Sequence, residues 1–199
     1  MCFALNLVSP WVVSQQRTLS ASEHTMLFDG TPNLTRTLTL EKAPKGLTAV
    51  VRIGEEETDR FTINPTTAFP MDFGRAGLGP LMPYQPERRT YPLRWDGEDV
   101  PMDYVGPSMV RGLETYKYRA VADGCARDVD AERQTGRIVD EVWSCEGAQW
   151  RLAETSKAEA VAAARADVRV LTALQVMAVL TRFIGAAAFV VALVGYARR

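Results

Sequence analysis

Along most of the chain, apolar and polar residues alternate in short runs broken by turn chemistry. After about residue 153 this gives way to a long, almost purely apolar stretch. Asn33–Leu40 places Leu34, Leu38 and Leu40 on one side and threonines on the other, the pattern of a half-buried strand. Ala43-Pro-Lys-Gly46 supplies a turn, and Leu47–Ile53 returns, which predicts a hairpin. Glu55–Asp59 reads as a charged turn ahead of a short strand, Arg60–Ile63. Met71–Pro86 carries three glycines and three prolines and reads as loop. Arg88–Trp95 and Val100–Val105 flank the turn signal Asp96-Gly97. Leu113–Arg119 alternates again, with Tyr116 and Tyr118 on one side. The runs between 24 and 153 predict a mainly β domain, an antiparallel sheet or half-barrel.

The stretch 156–199 predicts a long C-terminal α-helix. It contains no proline, and Ser156 with Glu159 three residues on is a capping box. From 176 to 197, Thr181 and Arg182 alone interrupt the apolar run. At 1.5 Å per residue this run is roughly 33 Å long, enough to cross a hydrocarbon core of about 30 Å. Arg182 is the flaw in the span, since an arginine at mid-bilayer costs about 2.5–3.5 kcal/mol on insertion scales. It lies near the N-terminal end of the run, from which its side chain can snorkel to the near interface. The competing reading is a buried core helix. Against it, Phe183–Tyr196 carries no charge, and Tyr196 precedes Arg198 and Arg199, an interfacial aromatic followed by cations. Those arginines as the cytoplasmic flank would place the β domain outside, although Arg165 and Arg169 flank the other end.

Residues 1–13 form a second apolar segment, too short to span and without a basic region before it. The segment reads as the remnant of an N-terminal anchor, or as a short piece packed on the domain.

Gln134-Thr135-Gly136 is a candidate turn. Strands pairing symmetrically about Thr135 would set Cys125 opposite Cys145, within disulfide reach. A disulfide requires an oxidising compartment, in keeping with an extracytoplasmic domain. The alternative is two free buried thiols. The same register sets Asp130 against Asp140, an unfavourable pair, which argues for an offset.

Composition narrows the function. In 199 residues the net charge is −1, so no basic surplus is present to hold nucleic acid. His24 is the one histidine, no nucleophile motif accompanies it, and Cys125 and Cys145 have no histidine nearby for a zinc site. Carboxylate pairs such as Asp128/Asp130 and Asp96/Asp99 fit no calcium-loop spacing. Trp95, Trp143 and Trp150 read as core or sheet-face residues. The expectation is a non-enzymatic protein with no cofactor and no metal.

Four stretches together resemble an actinobacterial membrane-protein family described as porin PorA-like. They are Phe61–Phe69, Thr90–Asp96, Val110–Tyr118 and Thr135–Asp140, followed by the Ala/Arg-rich helix that enters the C-terminal span. The resemblance covers about residues 25–197. It implies an extracytoplasmic β domain framed by membrane helices, transfers no catalytic residue, and brings in a pore as an alternative function. The leading expectation is a single-pass membrane protein of the cell envelope, a binding or structural module whose partners are the lipid bilayer and either copies of itself or envelope lipids. A pore would require oligomerised helices, with Arg182 lining the channel, because strands of 4–8 residues with charges on both faces do not make a single-chain barrel.

Overall fold

In a computed structural model of the protein, residues 19–197 are described, so the apolar segment 1–13 and the flanking Arg198 and Arg199 lie outside the described residues. Ten strands precede one helix: β1 (Ser22–Asp29), β2 (Leu34–Ala43), β3 (Gly46–Ile53), β4 (Glu56–Ile63), β5 (Tyr91–Trp95), β6 (Glu98–Val110), β7 (Leu113–Ala122), β8 (Cys125–Glu132), β9 (Ile138–Cys145), β10 (Ala148–Leu152) and α1 (Glu154–Ala197). The strands form one antiparallel sheet in the order β4-β3-β2-β1-β10-β9-β8-β7-β6-β5. Each strand therefore pairs with its neighbour in sequence except at one place. β4 and β5 are the two edges, and residues 64–90 run between them, while β1 and β10 meet in the middle. Contacts divide the chain into Leu19–Arg165, which holds the sheet and the first turns of α1, and the helical residues from Ala166 onward.

Tight turns set this meander. Asp96-Gly97, Arg111-Gly112, Asp123-Gly124 and Glu146-Gly147 all have both central φ angles positive, between 42° and 86°. That conformation matches the twist of paired strands and strongly favours glycine in the second position. β4 is longer than its apolar end suggests. Glu56, Glu57 and Asp59 lie within the strand rather than in a turn, where they put charge on an exposed edge that would otherwise template further pairing. β6 likewise runs well past Val105, with a register shift between Tyr104 and Gly106. Strands of up to 13 residues thus exceed the 4–8 read from the pattern.

The sheet curls. Trp95 on β5 and Trp143 on β9 have ring centroids 5.2 Å apart, although strands four places apart in a flat sheet are about 19 Å apart. The inner face carries two apolar clusters. One gathers Tyr91, Leu93, Met102, Tyr118, Val129 and Ile138; the other gathers Leu38, Leu40, Leu47, Val51, Phe61 and Ile63. The Gly- and Pro-rich connection covers both, since Leu78 and Met82 pack in the first and Leu81 against the second. It is pinned at either edge. Arg75 makes two 2.7 Å hydrogen bonds to Asp59 and lies 3.7 Å from the Phe61 ring centroid, and the Ala76 amide donates to Asp99. At its far end the Glu87 amide donates to Tyr91, and the Tyr118 hydroxyl donates to the Glu87 carbonyl.

The outer face of the sheet receives the start of α1. Val161 and Ala164 pack with Val110, Leu113 and Val139. The helix starts three residues earlier than the capping box predicts. Ala153 accepts the first helical bond, from Lys157, and the buried Ser156 hydroxyl accepts from the Leu27 amide on β1. Ser156 thus docks the helix on the sheet instead of capping it.

Candidate functional site

Between the apolar clusters the inner face is charged. In β2 the alternation that buries Leu38 and Leu40 also turns Arg36 inward; in β8 it turns in Arg127, and in β9 Glu141 and Trp143. The curl brings these strands within reach of one another. Arg36 Nη1 and Nη2 donate to Glu141 Oε1 and Oε2, both at 2.7 Å. Arg127 Nε donates to Oε1 at 2.8 Å, and Trp143 Nε1 donates to the same oxygen at 2.7 Å. Arg127 lies 4.9 Å from the Trp143 ring centroid, and Arg36 lies 5.1 Å from that of Phe28. Burial alone would push the Glu141 carboxyl up, but the Arg127 and Arg36 guanidiniums outweigh it and hold it at about 2. Burial depresses Arg127; attraction to Glu141 opposes this, and repulsion from Arg36 adds to it.

Aromatic side chains flank this cluster. Trp143 stands opposite Trp150 across the β9–β10 pair and touches Trp95, and all three indoles are half-buried. Trp150 donates to the Pro32 carbonyl at 2.8 Å. It also lies against Gly30, where a Cβ would fall 2.2 Å from the indole. Further along the same face Tyr91, Tyr104, Tyr116 and Tyr118 make edge contacts with centroids 5.5–5.8 Å apart. Burial pushes the Tyr118 hydroxyl well above the ordinary tyrosine value. The arrangement suits stacking and anion recognition, and the charged groups are held rather than free to transfer protons.

The structure answers the sequence expectations individually. Cys125 and Cys145 face each other in register and are joined in a disulfide, with Cα atoms 4.2 Å apart. An open groove of about 570 Å³ lies beside it, lined among others by Val121, Ala126, Ser144 and Gln149. The expected offset does not occur, and Asp130 stands opposite Asp140. Repulsion is relieved because each carboxylate has its own cation, Lys117 at 3.4 Å from Asp130 and Lys157 at 3.0 Å from Asp140. A register shift follows immediately, between Asp130 and Ala131. Arg182 is exposed on α1, far along the chain from this cluster. His24 sits on β1 opposite Leu38, where burial and the Arg137 cation lower its pKa. Arg36, Arg127 and Glu141 escaped the sequence reading, although each interrupts an otherwise apolar row.

One helix among the described residues is long and apolar enough to cross a membrane, and 6% of its apolar window is buried. Val176, Met177, Leu180, Phe183 and Ile184 are all at least half exposed. No family model matches the chain, and no curated protein matches it.

Proposed function

We propose that the protein is a membrane-tethered binding module of the cell envelope. In this reading α1 crosses the bilayer, the β domain lies on the extracytoplasmic side, and the aromatic and arginine-lined inner face is its recognition surface. The observation that carries the proposal is the direct continuity, in one helix, of a disulfide-stapled sheet with an exposed apolar segment. A helix whose apolar residues are exposed finds its burial in lipid, and a disulfide persists in an oxidising compartment. The resemblance to PorA-like membrane proteins, with their extracytoplasmic β domain, supports the same layout. The test is labelling of Cys125 and Cys145 with a membrane-impermeant thiol reagent after reduction of intact cells. Labelling in intact cells is the expected result, and labelling only after lysis would overturn the orientation.

A pore is the second reading, and Arg182 is the observation that favours it, because an ionisable residue inside a span is costly unless it serves a path or a partner. The sheet itself supports no channel: its inner face is filled by side chains and its outer face carries the pairs Lys117–Asp130, Arg119–Asp128 and Lys157–Asp140. A pore would therefore be made by several copies of α1. Conductance steps in a planar bilayer that change on Arg182→Ala would establish it.

A further inference from the structure

The inner-face cluster sets two guanidiniums against one carboxylate. Glu141 has no capacity to spare at Oε1, which accepts from Arg36, Arg127 and Trp143. Arg127 spends only Nε on it, and no residue among those described accepts a hydrogen bond from its Nη1 or Nη2. Yet the Arg127 side chain is only 5% exposed. The outer edge of a charged fork thus meets solvent rather than a protein acceptor, at the end of an otherwise enclosed side chain and in a cluster with one positive charge in excess. A largely enclosed cation without a matching charge is costly unless a counter-ion meets it. Trp143, which lies against the guanidinium, is half-buried and touches Trp95, so two indoles stand beside the cluster.

Taking the binding reading above as its basis, we propose that this corner binds a singly charged oxyanion with two equivalent oxygens, a phosphodiester or a carboxylate. The two oxygens meet Arg127 Nη1 and Nη2, as the planar fork of arginine requires. The organic part of the ligand lies on Trp143 and Trp95. One negative charge balances the cluster, whereas a dianion would leave it overcompensated.

The test uses full-length protein in a non-ionic detergent at constant ionic strength. It is titrated with sodium dimethyl phosphate, with sodium acetate, and with phosphatidylcholine vesicles with and without phosphatidylglycerol. Tryptophan fluorescence and the thermal midpoint are followed together. The expected result is a saturable change with at least one anion, weakened roughly 10- to 100-fold by Arg127→Lys and abolished by Arg127→Met. The midpoint of unliganded Arg127→Met should stay close to that of the parent, since Arg36 and Glu141 remain as a balanced pair. Should that variant fail to fold, Arg127→Lys carries the comparison, because it keeps the charge and loses the fork. A response to either free anion assigns a small solute; a response to vesicles of either composition without one to the free anions assigns a lipid headgroup. No saturable response, or one that both variants retain, overturns the proposal. The thiol-labelling experiment is independent of this titration. Correct labelling with a silent titration leaves the tether and removes the anion site; the reverse outcome leaves the site and removes the orientation.

Discussion

At the scale of the residue, Glu141 decides whether the inner face holds together. It accepts four hydrogen bonds from three side chains on β2, β8 and β9. Glu141→Gln would leave Arg36 and Arg127 as buried cations without a counter-charge, a change that costs about 3–5 kcal/mol, read as a lower midpoint in chemical denaturation. A loss under about 1 kcal/mol would mean that water reaches the pair and that burial matters less than described. The same group sets an acid limit. Its folded pKa is about 2 against an ordinary 4.5, so its contribution is fully present above about 4.5 and disappears as pH falls from there towards 2. The acid unfolding curve of Glu141→Gln should be flatter over that window, and an unchanged curve would assign acid lability to other carboxylates. The row Leu34-Arg36-Leu38-Leu40 already placed an arginine among leucines, so the clue was in the alternation. That its partner is Glu141, 105 positions later, depends on how the sheet curls, and no local pattern encodes that.

At the scale of the element, the connection 64–90 and the disulfide each hold what hydrogen-bonded strands leave open. The connection could be recognised as loop from its glycines and prolines. That it roofs both apolar clusters follows from the topology, which puts β4 and β5 at opposite edges, and periodicity is blind to strand order. Arg75 fixes it through Asp59, Phe61 and the Gly77 carbonyl. Arg75→Ala should lower stability by about 2–3 kcal/mol and raise hydrogen exchange in 70–79 more than in β7 or β8. Uniform exchange across the sheet would contradict a local fastening role. The disulfide closes a separation of 20 residues, for which chain entropy predicts about 3 kcal/mol. Replacing both cysteines by serine should cost that much and leave the circular dichroism of the sheet intact, because the strand pairing from Arg127 to Val129 does not depend on the bond. The cysteine register was legible because β8 and β9 fold back locally about one turn. The same register set Asp130 against Asp140, but that the pair is tolerated was not legible, because lysines on β7 and α1 remove the objection to it. The charged stretch 56–59 was misplaced for a related reason: an edge strand needs charge as much as a turn does.

For the whole molecule, the two compact units make different demands on solvent. Residues 19–165 have buried clusters on both faces of the sheet and an outer surface of ion pairs. From Ala166 onward, the described side chains up to 187 expose mainly alanine and large apolar groups, with Arg169 and Arg182 among them. A fragment 19–165 is therefore expected to remain in solution without detergent and to unfold cooperatively. A fragment ending at 153 should be much weaker, because it loses Val161 and Ala164 and leaves Val110, Leu113 and Val139 uncovered on the outer face. The full chain should float with liposomes and resist extraction at alkaline pH. Arg182→Leu should strengthen that retention, since it removes about 2.5–3.5 kcal/mol of insertion cost, and Ile184→Arg should weaken it by a similar amount. These variants separate two roles of the apolar helix. If full-length protein stays soluble and monomeric without lipid, and both substitutions leave flotation unchanged, the exposed face of α1 is covered by protein rather than by a bilayer. If flotation follows the substitutions in opposite directions, the exposed apolar side chains lie in hydrocarbon, and α1 tethers the sheet to a membrane.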